Sequence, residues 1–240
     1  MCPPASGNRR FVCKVSGMDT TLKTITEIMR MPSPAPRPQA LAADGDVLWM
    51  GSLGTCRLYA IDIAHWTVRE ETQAPGKPYG VAVMGDELRV LLSLGEEDHR
   101  VIRRYVPGHG FKNDHAIDCP DDTGSQLSFD GDRLYVSQWY NKKIISLSPN
   151  GTPGSVIDTP HGVCGHVIVG GVFYVLGTDD EESNRYFLTR IDARNGSPKV
   201  EDVAHVHFQG RALAYDGSRF WSNHRERHEI VAFTVDGLTP

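Results

Sequence analysis

Histidines, guanidinium groups and one central cysteine gather in a few short stretches of this 240-residue chain. In HGVCGH, His161 and His166 flank Cys164; in AHVHFQGR, His205 and His207 stand two apart ahead of Arg211; in SNHRERHE, Arg225 follows His224. Imidazole titrates near neutrality, so His166, His161 and His224 are candidate general acids or bases. A Cys/His nucleophile pair around Cys164 is a further arrangement of the same stretch. Residues two apart on a strand share a face, which makes His205 and His207 the most metal-like spacing in the chain. A divalent metal, held by imidazoles with one position open for water, is therefore one reading for a cofactor, although no HExxH or comparable ligand motif is present. Arg211 and Arg225 read as an anion anchor, because guanidinium forks match carboxylate or phosphate. Trp139-Tyr140 offers a stacking wall for a ligand.

Each of these groups also has a blander reading. His166 is then a buried histidine bonded to nearby backbone, or an alignment slip of one residue. The His205/His207 pair faces solvent, Arg211 and Arg225 form rim salt bridges with Asp179 or Glu181, and Trp139-Tyr140 packs a hairpin tip on its neighbour.

Composition narrows the classes. The net charge of -5 gives no general pull toward nucleic acid or an anionic membrane. No run of about 18 apolar residues and no signal-peptide h-region occurs, so neither a membrane span nor secretion is expected. The five cysteines are odd in number, widely spaced and without a CxxC pair, which fits a reducing compartment; the expected location is cytoplasmic. Glycine-rich phosphate loops, GxSxG elbows and kinase signatures are missing. The acidic loops at Glu96-Glu97-Asp98 and Asp179 to Glu182 read as solvated turns. The oligomeric state stays open.

The elements that must position these residues come from a repeated phrase. LAADGDVLWM, VAVMGDELRV, LSFDGDRLYV, HVIVGGVFYV and LAYDGSRFW each place an apolar run, a turn on glycine and a second apolar run in series. The glycines Gly45, Gly85, Gly131, Gly170 and Gly217 are separated by 40, 46, 39 and 47 residues, the period of propeller blades. The turn dipeptides supply positive φ for tight hairpins, and no segment sustains a 3.6-residue period. The last phrase ends at Gly237 with no room for an outer strand, whereas Leu22 to Met29 (LKTITEIM) is an orphan strand pattern ahead of the first. Joining the two predicts an all-β fold, a five-bladed β-propeller closed by an N-terminal strand, with six blades as the alternative. Residues 1–20 are expected to be a loose leader, with a start at Met18 as one option, and 21–240 a single domain. MPSPAPRPQ between them predicts an extended connector.

The blade phrase resembles the signature shared by YVTN/NHL-type and streptogramin-lyase-like propellers, and QGRALAYDGSRFW (Gln209 to Trp221) is similar to five-bladed glutamine-cyclotransferase-like proteins. The resemblance spans about Gln39 to Val235 and implies the fold. It carries over no catalytic residue, since these families bind, cleave, cyclise or scaffold. In such a ring the loops leading into the inner strands and those joining second to third strands meet at one channel mouth, a preformed concave site. Gln39, Tyr79, Gln126, His166 and Arg211 are then nearest the axis, with Trp139 and Arg225 around them. His166 stands where the other repeats carry Leu or Val. The non-repeating set argues for one central small-molecule site: an enzyme of lyase, hydrolase or cyclase type, or alternatively a non-catalytic propeller that binds a ligand or partner protein through the same face.

Overall fold

The computed structural model describes residues 10–11, 22–114, 116–194 and 196–238. The expected leader lies outside them apart from β1 (Arg10–Phe11), as does Asn195 of one Asn-Gly turn. β2 (Lys23–Pro32) follows, then four antiparallel strands, β3 (Pro38–Asp44), β4 (Val47–Ser52), β5 (Arg57–Asp62) and β6 (Thr67–Gln73). The next sheet holds β7 (Lys77–Met84), β8 (Glu87–Leu94) and β9 (His99–Val106), with the short β10 (Gly110–Phe111) and β11 (Ile117–Asp118) along its outer edge. A single 3-10 turn, Pro120–Asp122, leads to β12 (Gln126–Phe129), β13 (Leu134–Gln138), β14 (Lys143–Leu147) and β15 (Pro153–Asp158), outside which β1 pairs in parallel. β16 (Gly162–Val169), β17 (Val172–Thr178), β18 (Tyr186–Asp192) and β19 (Lys199–Val206) repeat the pattern. The last unit, β20 (Gly210–Tyr215), β21 (Phe220–His224) and β22 (Glu229–Val235), takes its outer strand from the start of the chain: β2 pairs antiparallel with β22. The molecule is an all-β propeller of four-stranded sheets.

The inner strands β3, β7, β12, β16 and β20 touch one another in order, and β20 touches β3, which closes the ring around a channel. All five repeat glycines have positive φ, between 57° and 101°, which explains their recurrence at the hairpin tips. Apolar side chains fill the wedges between sheets. Leu91 and Ile102 pack against Leu127, Val136 and Ile145, and Tyr174 and Leu176 against Leu213, Phe220 and Val231. At the seam between the last and first sheets Trp221 stacks on Trp66, 6.0 Å between centroids and 15° between planes, while Trp66 donates to the Pro32 carbonyl at 2.9 Å. The proline-rich connector is shorter than its composition implies. Pro32 still pairs with Glu229 and Pro38 with Ser52, because strand ends and sheet edges tolerate a residue without an N–H. No helix among the described residues is long and apolar enough to cross a membrane.

Inner strands approach so closely at the channel's waist that backbone meets backbone. A Cβ on Gly165 of β16 would fall 2.2 Å from the carbonyl carbon of Ala212, and one on Gly80 of β7 would fall 2.8 Å from the Leu127 nitrogen. Just mouthward of this waist four inner strands carry a register shift, between Pro38 and Ala40, Pro78 and Gly80, Val163 and Gly165, and Arg211 and Ala214. Such bulges re-aim the extra residue.

The closing strand gives a direct stability test. Ile25 on β2 is buried in the last wedge, whereas Ile28 is more than half exposed. Ile25→Ala should cost about 2–4 kcal/mol in urea unfolding and Ile28→Ala under about 0.5 kcal/mol. Equal effects would mean that β2 does not hold the ring shut.

Candidate functional site

At the end of the channel where the inner strands begin, a cavity of about 260 Å³ opens to solvent. Gln39, Tyr79 and Cys164, the extra residues of three bulges, all line it, as do Trp139, Arg211 and Arg225. Five of the six ligand-binding candidates from the sequence therefore meet here. The sixth, Gln126, does not line the cavity. It is fully buried as the first residue of β12, and its amide reaches across the channel to donate to the Leu41 carbonyl of β3 at 2.9 Å. Asn223 of β21 donates in the same way to the neighbouring Ala40 carbonyl, at 3.5 Å. Gln126 braces the ring.

Three guanidinium groups line the mouth, each beside a carboxylate. Arg100 lies flat on Tyr79, 3.5 Å from the ring centroid, and donates to the Gly124 carbonyl at 3.0 Å and to Asp98 at 2.6 Å. Burial pushes the Asp98 carboxyl up, but the Ser93 hydroxyl and Arg100 outweigh it and hold it below its ordinary value. Arg211 donates to the Tyr186 hydroxyl at 2.7 Å, to Glu181 at 2.9 Å and to the Cys164 sulfur at 3.6 Å. Burial opposes the charge of Arg211, yet Cys164, Tyr186 and Glu181 together keep its pKa above the ordinary arginine value. Arg225 donates to Glu226 at 2.9 Å and to Gln39 at 3.3 Å, tying the last sheet to the first inner strand. The rim salt bridge expected for Arg211 with Glu181 is thus present. It sits inside the cavity.

The remaining wall is aromatic and soft. Trp139 and Tyr140 meet edge to face at 4.8 Å, with Tyr140 84% exposed at the rim. Gly162 makes room for the indole, since a Cβ there would lie 2.8 Å from it. Cys164 is buried, and burial pushes its thiol up to about 11 against the opposing influence of Arg211. A neutral thiol next to a guanidinium is a poor nucleophile at neutral pH. Among the described residues neither His161 nor His166 bonds to Cys164.

The three histidines expected to do acid/base work do not line this cavity. His161 is clamped by Asp179 at 2.8 Å and Asp202 at 3.1 Å and stacks on Phe187 at 4.4 Å. Burial works against its charge, but the two carboxylates prevail and raise its pKa. His224 stacks on Phe208 at 6.2 Å, and burial, with Arg227 and Arg30 nearby, lowers its pKa. His166 belongs to the far half of the channel, where three consecutive residues from each inner strand line a second cavity of about 190 Å³. It is 1% exposed, neither ring nitrogen has a hydrogen-bond partner among the described residues, and burial pushes its pKa down to about 3. The expectation of a bonded core histidine is half right: it is core, without the bond. The metal candidates part company too. His205 lies against Phe187 at 5.1 Å, His207 is exposed just past the end of β19, and the described residues hold no group of three or more His, Cys, Asp or Glu placed to hold a metal ion.

Asp98, Arg100 and Glu181 also line the cavity, although nothing in the sequence marks them as ligand-binding candidates; Glu181 stands out there only as a salt-bridge partner for Arg211. Their loops join second to third strands and so belong at the mouth, but runs such as Glu96-Glu97-Asp98 and Asp179 to Glu182 read as solvated turns. Which carboxylate in a run turns inward depends on neighbours such as Ser93, Arg100 and Arg211, which are distant in sequence or across a hairpin.

The buried imidazole yields a pH test. An unfolded histidine titrates near 6.5, so a folded value pushed down to about 3 means that the unfolded chain alone takes the proton between those limits. Stability then falls with pH across that window, by about 1.4 kcal/mol per pH unit. From pH 7 to pH 5 the wild type should lose about 2 kcal/mol more than His166→Leu in urea unfolding. Parallel losses would show that His166 is solvated or paired in the folded chain.

No protein-family model matches the sequence, and no curated protein matches it. Among solved structures, the Myxococcus xanthus glutaminyl cyclase is similar with a TM-score of 0.68 and 11% identity, covering 90% of this chain and 98% of that one. The PQQ-bound aldose sugar dehydrogenase of Streptomyces coelicolor follows at 0.58 and 12%, covering 89% and 98%. Virginiamycin B lyase from Staphylococcus aureus aligns at 0.50 and 16%, covering 85% and 68%. At these identities the likeness speaks for the fold alone. The chain is a β-propeller, as its blade phrases implied.

Proposed function

We propose that the ring counts five blades and that the chain is a small-molecule enzyme of cyclase, lyase or hydrolase type, working in the mouth cavity with Glu181 as its proton carrier. The blade count rests on the five inner strands that each contribute three consecutive residues to the far cavity. The catalytic reading rests on one observation. Glu181 lines the mouth with one carboxylate oxygen held by Arg211 at 2.9 Å and the other without a protein partner among the described residues. A carboxylate fixed in position with a free oxygen in a concave site is equipped to take and return a proton. Arg211, itself fixed by Tyr186, keeps the carboxylate oriented. Tyr79, Trp139 and Tyr140 supply flat surface to hold the substrate and exclude water.

This assignment replaces histidine chemistry by carboxylate chemistry. Enzymes of cyclising and lyase type occur among the similar propellers. The alternative is a propeller that binds a ligand or partner through the same face without converting it. The observation in its favour is Tyr140, presented to solvent at the rim.

The two readings separate with a small-molecule library screened by thermal shift, followed by mass spectrometry of each hit after incubation. On the enzyme reading a hit is converted, and Glu181→Gln lowers kcat by about 10²–10⁴-fold, measured at saturating ligand so that weaker binding does not enter. A ligand that binds and emerges unchanged from the wild type would favour the binding propeller, and an undiminished kcat in the variant would remove Glu181 from the chemistry.

A further inference from the structure

Most of the charged atoms that line the mouth already hold a protein partner. Arg100 uses Nε on the Asp98 carbonyl, Nη1 on the Gly124 carbonyl and Nη2 on the Asp98 carboxylate. Both Asp98 oxygens are thereby occupied, one by Arg100 and one by the Ser93 hydroxyl. Arg211 engages Nη1 and Nη2 with Tyr186 and Glu181, and its Nε, without a partner among the described residues, is buried and out of a ligand's reach. Two charged atoms remain among the described residues that line the cavity. Arg225 bonds through Nε and Nη1, leaving Nη2 without a protein partner, and Glu181 bonds through Oε2, leaving Oε1. Their side chains are 20% and 38% exposed, so both groups are accessible from the lumen without unfolding anything.

One free cationic nitrogen and one free anionic oxygen in the same small cavity match a ligand that carries both charges. We infer that the mouth cavity selects a zwitterion of the α-amino acid class, with Arg225 taking its carboxylate and Glu181 its ammonium group. The anion anchor is then Arg225 alone, because Arg211 is committed to holding Glu181. The aromatic wall of Tyr79 and Trp139 faces the ligand's side chain. The volume, about 260 Å³, exceeds the ~150 Å³ that holds a benzene ring, leaving room for a medium-sized side chain beyond the two charged ends. A ligand with a single charge would leave either Arg225 or Glu181 unpaired on closing the site, which weakens its binding. The inference rests on the mouth cavity as the ligand site, and Glu181 placed against an ammonium group is also placed to receive its proton.

The test uses L-phenylalanine, its one-ended analogues 3-phenylpropanoate and 2-phenylethylamine, and L-alanine as a zwitterion small enough for any side-chain pocket. Binding is measured by calorimetry, with saturation-transfer NMR for weak ligands, on the wild type, Glu181→Gln and Arg225→Gln. Circular dichroism melts confirm that both variants are folded. At least one zwitterion should bind about tenfold or more tighter than its one-ended analogues. Glu181→Gln should reduce phenylalanine to the affinity of 3-phenylpropanoate and leave 3-phenylpropanoate unchanged, and Arg225→Gln should do the converse with 2-phenylethylamine. Absence of binding by both zwitterions, or a preference that survives both substitutions, overturns the inference. Trp139→Ala separates this failure from failure of the site itself. If it weakens the binding of uncharged library hits, the mouth remains the ligand site and only the zwitterion class falls; if it affects no ligand, both fall.

Discussion

A close backbone approach in the ring, between Gly165 on β16 and Ala212 on β20, sets the geometry of what lies above and below it. A side chain at that glycine would fall inside the neighbouring main chain, so the inner strands meet at a separation only a missing Cβ permits. Gly80 against Gln126 and Leu127 repeats the arrangement on another side of the channel. The waist divides the channel. Above it lies a polar, charged and aromatic cavity, and below it one lined by apolar residues with His166 and Ser128 among them.

Bulges translate this narrowing into a site. In a regular strand, Gln39, Tyr79 and Cys164 would alternate into the wedges between sheets with their neighbours. A register shift at each turns it toward the mouth instead. The second-to-third strand loops then bring Asp98, Trp139, Glu181 and Arg225 over the same opening. Their charges neutralise one another in local pairs, and this leaves only a few atoms facing the lumen available to a ligand. Arg211 and Glu181 illustrate why the pairs are short-range devices: the guanidinium is almost wholly buried and its partner partly open, so the buried group orients the one that faces the lumen.

The same geometry explains the fate of the histidines. HGVCGH lies across the waist. His161 sits outside the mouth, where Asp179 and Asp202 flank it, Cys164 faces the mouth, and His166 reaches the far half of the channel. Five residues of extended chain cover roughly 16 Å, too far for the two imidazoles to act on one substrate. A cluster in sequence became a series of separate environments, one acidic, one polar and one dry.

What the sequence by itself determined is the scaffold. Its glycine-centred phrases set the hairpins, their spacing set the repeat, and the vacancy after the last phrase pointed to Leu22 to Met29 as the closing strand, which forms over Lys23–Pro32 and pairs with β22. These are local, periodic properties, and hairpin chemistry is decided by neighbours within a few residues. Placement of Gln39, Tyr79, Trp139, Arg211 and Arg225 near the axis followed from the same repeat. Only the tertiary structure decided which of the mouth's groups stay free. Glu181 becomes a site residue because Arg211, thirty positions away, takes one of its oxygens, and Gln126 leaves the site because the Leu41 carbonyl across the channel claims its amide. Partners of that kind come from different sheets and meet only when the ring closes, so no window of sequence contains the information.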